Sequence, residues 1–578
     1  MENYDFIILG AGSAGCVLAN RLSSNPNHKV CLIEAGSKDS DPRIHIPIGF
    51  AFLGSGSNFS WNYETVPQKE FEKEVVAEPI REVVDSAGGT HKVETETLEH
   101  RKGFQPRGKT LGGSSSINAM LYVRGHRWDY DHWCELGNEG WSYDEVLPYF
   151  KKAEHNEIHN NEYHGQNGPL NVCDIAHQPE SCKSFVEAGS KLFNFNDDFN
   201  GADQEGFGYY QTTQIKGKRC SAAKAYLVPV LKRDNLTVIT DTQVNKILID
   251  GSHAKGVECI GSDNNSFSIH ASKEVILSSG AFGSPQILLR SGIGPANELK
   301  RLGIQPILNK PGVGLNLQDH LEVYIQQECT SPITLFKHWN LFSKAMIGLE
   351  WLLTKRGHGA SNHFESAAFI RSRPGIEYPD IQFHFLPIAI RYDGKASATS
   401  HSWQAHVGPM RSSSRGSVSL RSKNPNDRPK IQFNYMSHER DWIDFRHCVR
   451  VARDIFSQDA FKPFRGKEIQ PGDWCNSDFE LNEFIKEHAE SAYHPCGTCK
   501  MGAKDDPTAV VDETCKVIGV EQLRVVDSSV FPNITNGNLN APTIMVGEKA
   551  SDHILGNQTL QQATTEPWIN PRWESSDR

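Results

Sequence analysis

The sequence predicts an α/β protein: a discontinuous Rossmann-like domain, plus an α+β substrate domain with a mainly antiparallel sheet. Three observations carry this reading. A glycine fingerprint sits between two apolar runs at the N-terminus. Similar strand–glycine–helix pieces return near 274–294 and at Val525-Val526-Asp527, and segments of alternating polarity fill much of the interval between them.

Phe6 to Leu9 form a short apolar run suited to a buried parallel strand, Gly10, Gly12 and Gly15 follow at once, and Ala19 and Leu22 continue an apolar helical face. A side chain at Gly10 would obstruct the turn, one at Gly12 would hold the backbone away from a pyrophosphate, and one at Gly15 would keep helix and strand apart. Phosphates would then sit at the helix N-terminus, where free N–H groups favour negative charge. Val30 to Ile33 make the second strand, and Glu34 ends it where a carboxylate can accept hydrogen bonds from ribose hydroxyls. Glu72 to Lys102, rich in Glu, Lys and Val around Ser86-Ala87-Gly88-Gly89, predicts a solvated hairpin or flap. Gly108 to Asn118 is a glycine- and hydroxyl-rich loop expected to lead into an apolar helix and to line a phosphate or a ring edge. Glu274 to Ser278 is strand-like and runs into Gly280-Ala281-Phe282-Gly283 and a helix through Leu288. Further on, Ile381, Phe383 and Phe385 fall on one face of a strand and Gln382 and His384 on the other, and Ser417 to Leu420 alternates likewise.

The expected domain plan is a cofactor domain in three parts, 1–155, 216–320 and 516–556, with a substrate-side segment at 156–215 and a substrate domain at 321–515. Residues 557–578 are polar and predict a loosely held tail.

With 578 residues the chain is too long for one core. A net charge of -10 gives no bulk attraction to nucleic acid, and no nucleic-acid partner is expected. No apolar run reaches the roughly 18 residues of a spanning helix, and Met-Glu-Asn-Tyr-Asp lacks the basic start of a signal peptide, so a cytoplasmic location is expected. The thirteen cysteines have no framework spacing and suit buried thiols; Cys496 and Cys499 stand alone as a Cys-x-x-Cys pair, and no metal site is expected.

His494 lies in the tight, proline-bounded loop Ser491-Ala492-Tyr493-His494-Pro495-Cys496-Gly497-Thr498. Asn540 lies in Asn536-Gly537-Asn538-Leu539-Asn540-Ala541-Pro542-Thr543, just where Pro542 is suited to the first turn of a helix through Ile544, Val546 and Ala550. That helix would direct its positive end past Asn540, toward an anionic reduced ring such as a flavin.

With the fingerprint, Gly108 through Asp131, Gly280 through Gly294, and the His494 and Asn540 loops in view, the chain resembles the glucose-methanol-choline (GMC) oxidoreductases over nearly its whole length. Asn362-His363-Phe364-Glu365, His384-Phe385-Leu386-Pro387 and Asn434-Tyr435-Met436-Ser437-His438 are most similar to the choline dehydrogenase branch. The resemblance implies FAD-dependent oxidation of a primary alcohol to an aldehyde, choline to betaine aldehyde first of all and then on to glycine betaine. Uncharged alcohols, or cyanohydrin cleavage by a lyase on the same scaffold, are the alternatives. It implies His494 as catalytic base and Asn540 as its partner. It further implies cofactor contacts from Gly10, Gly12, Ser13, Ala14, Gly15, Glu34, Ala35, Trp61, Gly108, Leu111, Gly112, Gly113, Ser114, Asn118, Ala119, Val244, Ala281, Asp527, Asn540, Ala541, Pro542 and Thr543. Some members tether FAD through a histidine where this chain has Ile117, so FAD is expected to be non-covalent. For a trimethylammonium group, Glu365 is the expected carboxylate and Phe364 and Tyr493 the expected walls. Such dehydrogenases pass electrons to a respiratory chain or quinone in preference to oxygen, which implies peripheral association with the inner face of a membrane. The oligomeric state is left open.

Overall fold

The computed structural model describes residues 3–68, 70, 82–84, 90–92, 102–390 and 400–578. The fingerprint folds as read: β1 (Asn3–Leu9), α1 (Ser13–Leu22) and β2 (Val30–Ile33) form one unit. Added to it are β3 (Leu236–Ile239), β4 (Gln243–Asp250), β5 (His253–Ile260) and β6 (Ser266–Leu277), giving the order β3-β2-β1-β6-β5-β4 with Leu523–Val525 also paired to β6. β1 pairs in parallel with β2 and β6, β2 with β3, and β6 with Leu523–Val525, whereas β4, β5 and β6 form an antiparallel meander. Ile7 stands opposite Cys31 and Val275, all fully buried, because the parallel strands are covered on both faces and read as unbroken apolar runs. The glycine helix after β6 is α2 (Gly280–Arg290).

The second sheet is antiparallel throughout. It consists of β7 (Leu321–Cys329), β8 (Ser366–Ile370), β9 (Ile381–Leu386), β10 (Ser402–Pro409) and β11 (Arg465–Gln470) in the order β11-β7-β10-β9-β8, with Gly206–Tyr209 beyond β8 and Glu490–Ser491 on β7. Its two faces follow the alternation of β9. Phe383 and Phe385 enter a core with Phe185, Phe207, Trp403 and Phe461, while His384 faces a cavity. Gly416–Ser419 pairs instead in a small separate sheet with Leu315–Leu317 and Lys430–Gln432. Outside the second sheet lies α3 (Leu341–Thr354); α4 (Asn540–Leu555) packs on α1 at the centre of the first core.

Three expectations change. Gly108 to Asn118 closes in a 3-10 turn, Gly113–Ser116, and not in an apolar helix. Gly112 and Gly113 take positive φ, and the Ser115 and Ser116 hydroxyls donate back to the carbonyls of Gly112 and Leu111, which diverts the chain from helix. Residues 557–578 are not a loose tail. Thr565 donates to Asp144, Asn570 is buried and donates to Glu205, and Arg371 donates to the Ser576 carbonyl, so the segment is tied to the body of the protein at these points although most of its side chains are exposed. Of the expected flap at 72–102, Glu82–Val84 and Thr90–Lys92 do pair as a hairpin, and most of the remainder lies outside the described residues.

Candidate active site

A single cavity of about 590 Å³ takes in both the fingerprint and His494. Of the residues expected at the cofactor, Gly10, Gly12, Ser13, Ala14, Glu34, Ala35, Trp61, Gly108, Gly113, Ser114, Asn118, Ala119, Val244, Ala281, Asp527, Asn540 and Thr543 line it. Gly15, Leu111, Gly112, Ala541 and Pro542 do not. Gly15 instead permits the close crossing of α1: a Cβ there would lie 1.9 Å from the Gly10 carbonyl oxygen. Leu111 packs in the first core, Gly112 donates its N–H to the Ala11 carbonyl, and Ala541 and Pro542 are buried in the first turn of α4.

The cavity fits a dinucleotide by its chemistry. Gly12, the N-cap of α1, supplies no side-chain cap, and the first turn is left to serve an anion in the cavity. Gly113 comes so close that a Cβ on it would lie 2.7 Å from the Gly12 Cα, which keeps this wall thin. At the end of β2, Glu34 accepts from the N–H groups of Ala11 and Gly36, one on each oxygen, and burial pushes its carboxyl up to about 7. Asp527 accepts from Gly280 N–H and the Ser284 hydroxyl, joining the end of the first sheet to α2.

Two histidines meet at the other end of the cavity. Asp319 accepts the backbone N–H groups of both His320 and His494, and the Arg107 guanidinium donates to the Tyr493 carbonyl, so the loop is clamped with Tyr493 at φ 66°. The His320 Nε2–H donates to the Met410 carbonyl at 3.2 Å, which leaves its Nδ1 as an acceptor 3.0 Å from His494 Nδ1. The His494 proton therefore sits on Nδ1, and its Nε2 carries a lone pair. The amide facing that lone pair belongs to Asn538, whose Nδ2 lies 3.0 Å away and whose Oδ1 accepts from Gln382. Asn540, the expected partner, is turned to the phosphate end, where its Oδ1 accepts from the Ser13 hydroxyl at 2.8 Å. Burial, reinforced by His320 and His384, holds the His494 imidazole well below its ordinary pKa, and burial takes His320 down to about 3.

The carboxylate is also not where it was expected. Glu365 has no exposed surface, accepts from the Ser361 hydroxyl at 2.6 Å, lies near His363 and Cys182, and does not line the cavity. Phe364 and Tyr493 do line it, and the acid that joins them is Glu322 at the start of β7. Glu322 accepts from His406 Nδ1 at 2.8 Å and approaches His384 Nδ1 at 3.6 Å. Burial opposes its charge, yet His406 and His384 hold it far below the usual carboxylate range, while burial lowers His406 itself. Glu322 thus places a carboxylate on the stretch of cavity wall that carries Phe364 and Tyr493.

Family models of the GMC oxidoreductases match residues 4–322 (the N-terminal part) and 412–547 (the C-terminal part). The chain belongs to the GMC oxidoreductase family. It is 55% identical to a protein of Brucella anthropi named oxygen-dependent choline dehydrogenase, over 99% of this chain and 100% of that one. It is 50% identical to one of the same name from Sinorhizobium fredii over the same shares. Among solved structures, it superposes on a pyridoxine 4-oxidase from Mesorbium loti with a TM-score of 0.82, at 30% identity over 96% of this chain and 100% of that chain. It superposes on a formate oxidase with a TM-score of 0.84, at 26% identity over 96% and 98%. This GMC oxidoreductase is an FAD-dependent enzyme acting on CH–OH groups.

Sequence reading missed Asn538, His320 and Glu322 in this GMC oxidoreductase. For His320 and Glu322 the sequence held a partial signal, since Asp319-His320-Leu321-Glu322 puts three ionisable residues at the start of a strand buried up to Gln327, although it does not say which of them opens to the cavity; nothing local marked Asn538. Among the described residues no cluster of His, Cys, Asp or Glu is arranged to hold a metal, all thirteen cysteines are free, and no helix is long and apolar enough to cross a membrane.

The depressed histidines make stability pH-dependent. Near a reference pKa of about 6.5 the unfolded chain takes up protons that the folded site refuses, so each such histidine removes about 1.4 kcal/mol of stability per pH unit below that point. The thermal midpoint of the holoenzyme is expected to fall more steeply between pH 7 and 5 than that of His320→Asn; parallel curves would show that His320 charges readily in the folded protein.

Proposed function

We propose that this enzyme oxidises choline to betaine aldehyde with a non-covalently held FAD, using His494 as base and Glu322 as the seat of the trimethylammonium group. The observation that carries the substrate is the buried Glu322 carboxylate in the same cavity as Phe364, Tyr493 and His494; the names of the full-length relatives support it. FAD, when bound, supplies the two-electron acceptor for hydride from the carbinol carbon. The protein does the rest. His494 Nε2 takes the hydroxyl proton as the C=O bond forms, which a neutral, buried imidazole is suited to do, and the Asn538 amide N–H steadies the developing alkoxide. Phe364 and Tyr493 offer ring faces to a cation that has no N–H to donate, each contact being worth about 0.5 to 2 kcal/mol. The hydrate of the aldehyde presents a hydroxyl on the same carbon to the same base, which extends the proposal to glycine betaine.

Ile117 lines the cavity and offers no nucleophile for a covalent link, so acid precipitation should release all the yellow cofactor into the supernatant; colour retained by the pellet would reject non-covalent binding. Anaerobic mixing tests the rest. Choline should bleach the flavin and yield betaine aldehyde. Bleaching by uncharged alcohols alone would replace the substrate, and cyanohydrin cleavage without bleaching would favour a lyase. Running the turnover with oxygen and with a soluble quinone compares the acceptor in the relatives' name with the respiratory one. The two asparagines separate as well: Asn538→Ala should slow reduction by about 10- to 100-fold with FAD affinity kept, since one hydrogen bond to developing charge is lost. Asn540→Ala should weaken FAD retention more than it slows reduction, and the reverse pattern would restore Asn540 beside the base.

A further inference from the structure

The helix α3 is inverted relative to an ordinary surface helix. It rests on the body through Trp351 and the partly covered Ile347, yet the arc it turns to solvent is apolar: Leu341 is 86% exposed, Phe342 76%, Leu353 75% and Leu352 62%, with Met346 and Leu349 about half exposed. At 100° per residue these side chains fall within one continuous sector, the side on which a surface helix normally carries charge. A contiguous exposed apolar face of this kind marks an interaction site.

Charge selects the occupant. Between 337 and 356 the chain carries Lys337, Lys344, Lys355 and Arg356 against the single carboxylate of Glu350, a local excess of three positive charges in a protein whose net charge is -10. The Lys344 and Lys355 ammonium groups lie over the rings of Trp339 and Trp351, and Lys355 also donates to the Trp351 and Leu352 carbonyls, which keeps both charges at the two ends of the helix. A second copy packed on this face by a two-fold axis would bring cationic margin against cationic margin. An anionic bilayer would accept both the leucines and the lysines.

We propose that α3 is an in-plane membrane-docking helix that lays its leucine face into the interface of an anionic bilayer. The helix packs on the turn His358–Ala360, which packs on Pro47–Phe52, and Phe50 and Ala51 of that segment line the cavity. Docking therefore fixes the active-site wall relative to the lipid surface. The inference is independent of the substrate and of the electron acceptor.

The test is flotation of the full-length holoenzyme with vesicles of phosphatidylcholine, with and without about 30% phosphatidylglycerol. The wild type should float with the anionic vesicles, and about 0.5 M salt should weaken the binding. Phe342→Glu/Leu353→Glu, on side chains turned to solvent, should lower the floated fraction at least tenfold while FAD content and anaerobic reduction by substrate stay as in the wild type. Equal flotation of wild type and variant would overturn the proposal, as would no flotation of the wild type. So would a dimer by light scattering that the two glutamates split, since this would give the face to a second copy. Failure of flavin reduction by choline, by contrast, bears only on the proposed function.

Discussion

Replacing His494 by Ala should leave FAD bound and yellow but slow anaerobic flavin reduction by about 100- to 10,000-fold, the range a positioned general base supplies. The separation of binding from chemistry follows from where the contacts come from. The phosphate end of the cavity is built by α1, β2 and the Gly108–Asn118 loop, none of which depends on the His494 side chain, and the loop itself is clamped through backbone atoms by Asp319 and Arg107. What alanine removes is the Nε2 lone pair beside Asn538. On the proposed mechanism His320 acts through His494 as a positioning residue, because its bond to the Met410 carbonyl fixes which nitrogen of the pair carries the proton. His320→Gln should therefore lower the reduction rate less than His494→Ala, and it should also change the acid limb of the rate profile, which a purely structural change would leave in place. Stopped-flow reduction with retained FAD decides the matter: a near-normal rate in His494→Ala would take the base role away from it.

The parts of this protein that were legible in the sequence are those set by sterics and by period. Gly10 and Gly15 had to be glycine because a Cβ on the first would meet the Ser278 carbonyl and one on the second the Gly10 carbonyl, and Phe6 to Leu9, β2 and the Val275 to Leu277 end of β6 had to be apolar because both faces of the sheet are covered there. Period two on β9 separated His384 from Phe383 and Phe385, and the structure turns the His384 face to the cavity. The parts that were not legible lie where no period operates. Asn538 and Asn540 are two residues apart after Gly537, which turns the chain at φ 91°; one side chain reaches His494 and the other Ser13, and nothing local distinguishes them. Glu365 just precedes the buried strand β8 and Glu322 is the second residue of the buried strand β7, and only the assembled sheet shows which opens to the cavity. The tail misled for a related reason: a polar composition measures the need for hydrogen bonds, which Glu205 and Asp144 meet as well as water does.

Glu322→Gln should cost choline about 100- to 1,000-fold in kcat/KM while changing the rate with 3,3-dimethylbutan-1-ol, the same shape without the charge, by less than about threefold. Two unit charges about 4 Å apart at an effective dielectric of about 20 attract by about 4 kcal/mol, and the desolvation of the cation reduces what is realised. Glutamine keeps the acceptor oxygen that His406 Nδ1 needs, so the sheet register and the ring walls survive and charge alone is removed. The sign of the effect also follows from the electrostatics of the pocket. His406 and His384 hold Glu322 ionised against its burial, so the site presents a carboxylate to a cationic substrate. Glu365→Gln makes the contrast, since that side chain bonds Ser361 behind the sheet: it should lower the thermal midpoint and affect both alcohols alike. If Glu322→Gln instead slows both alcohols equally and Glu365→Gln discriminates between them, the cation is held from the other side of β8 and the assignment of the pocket reverses.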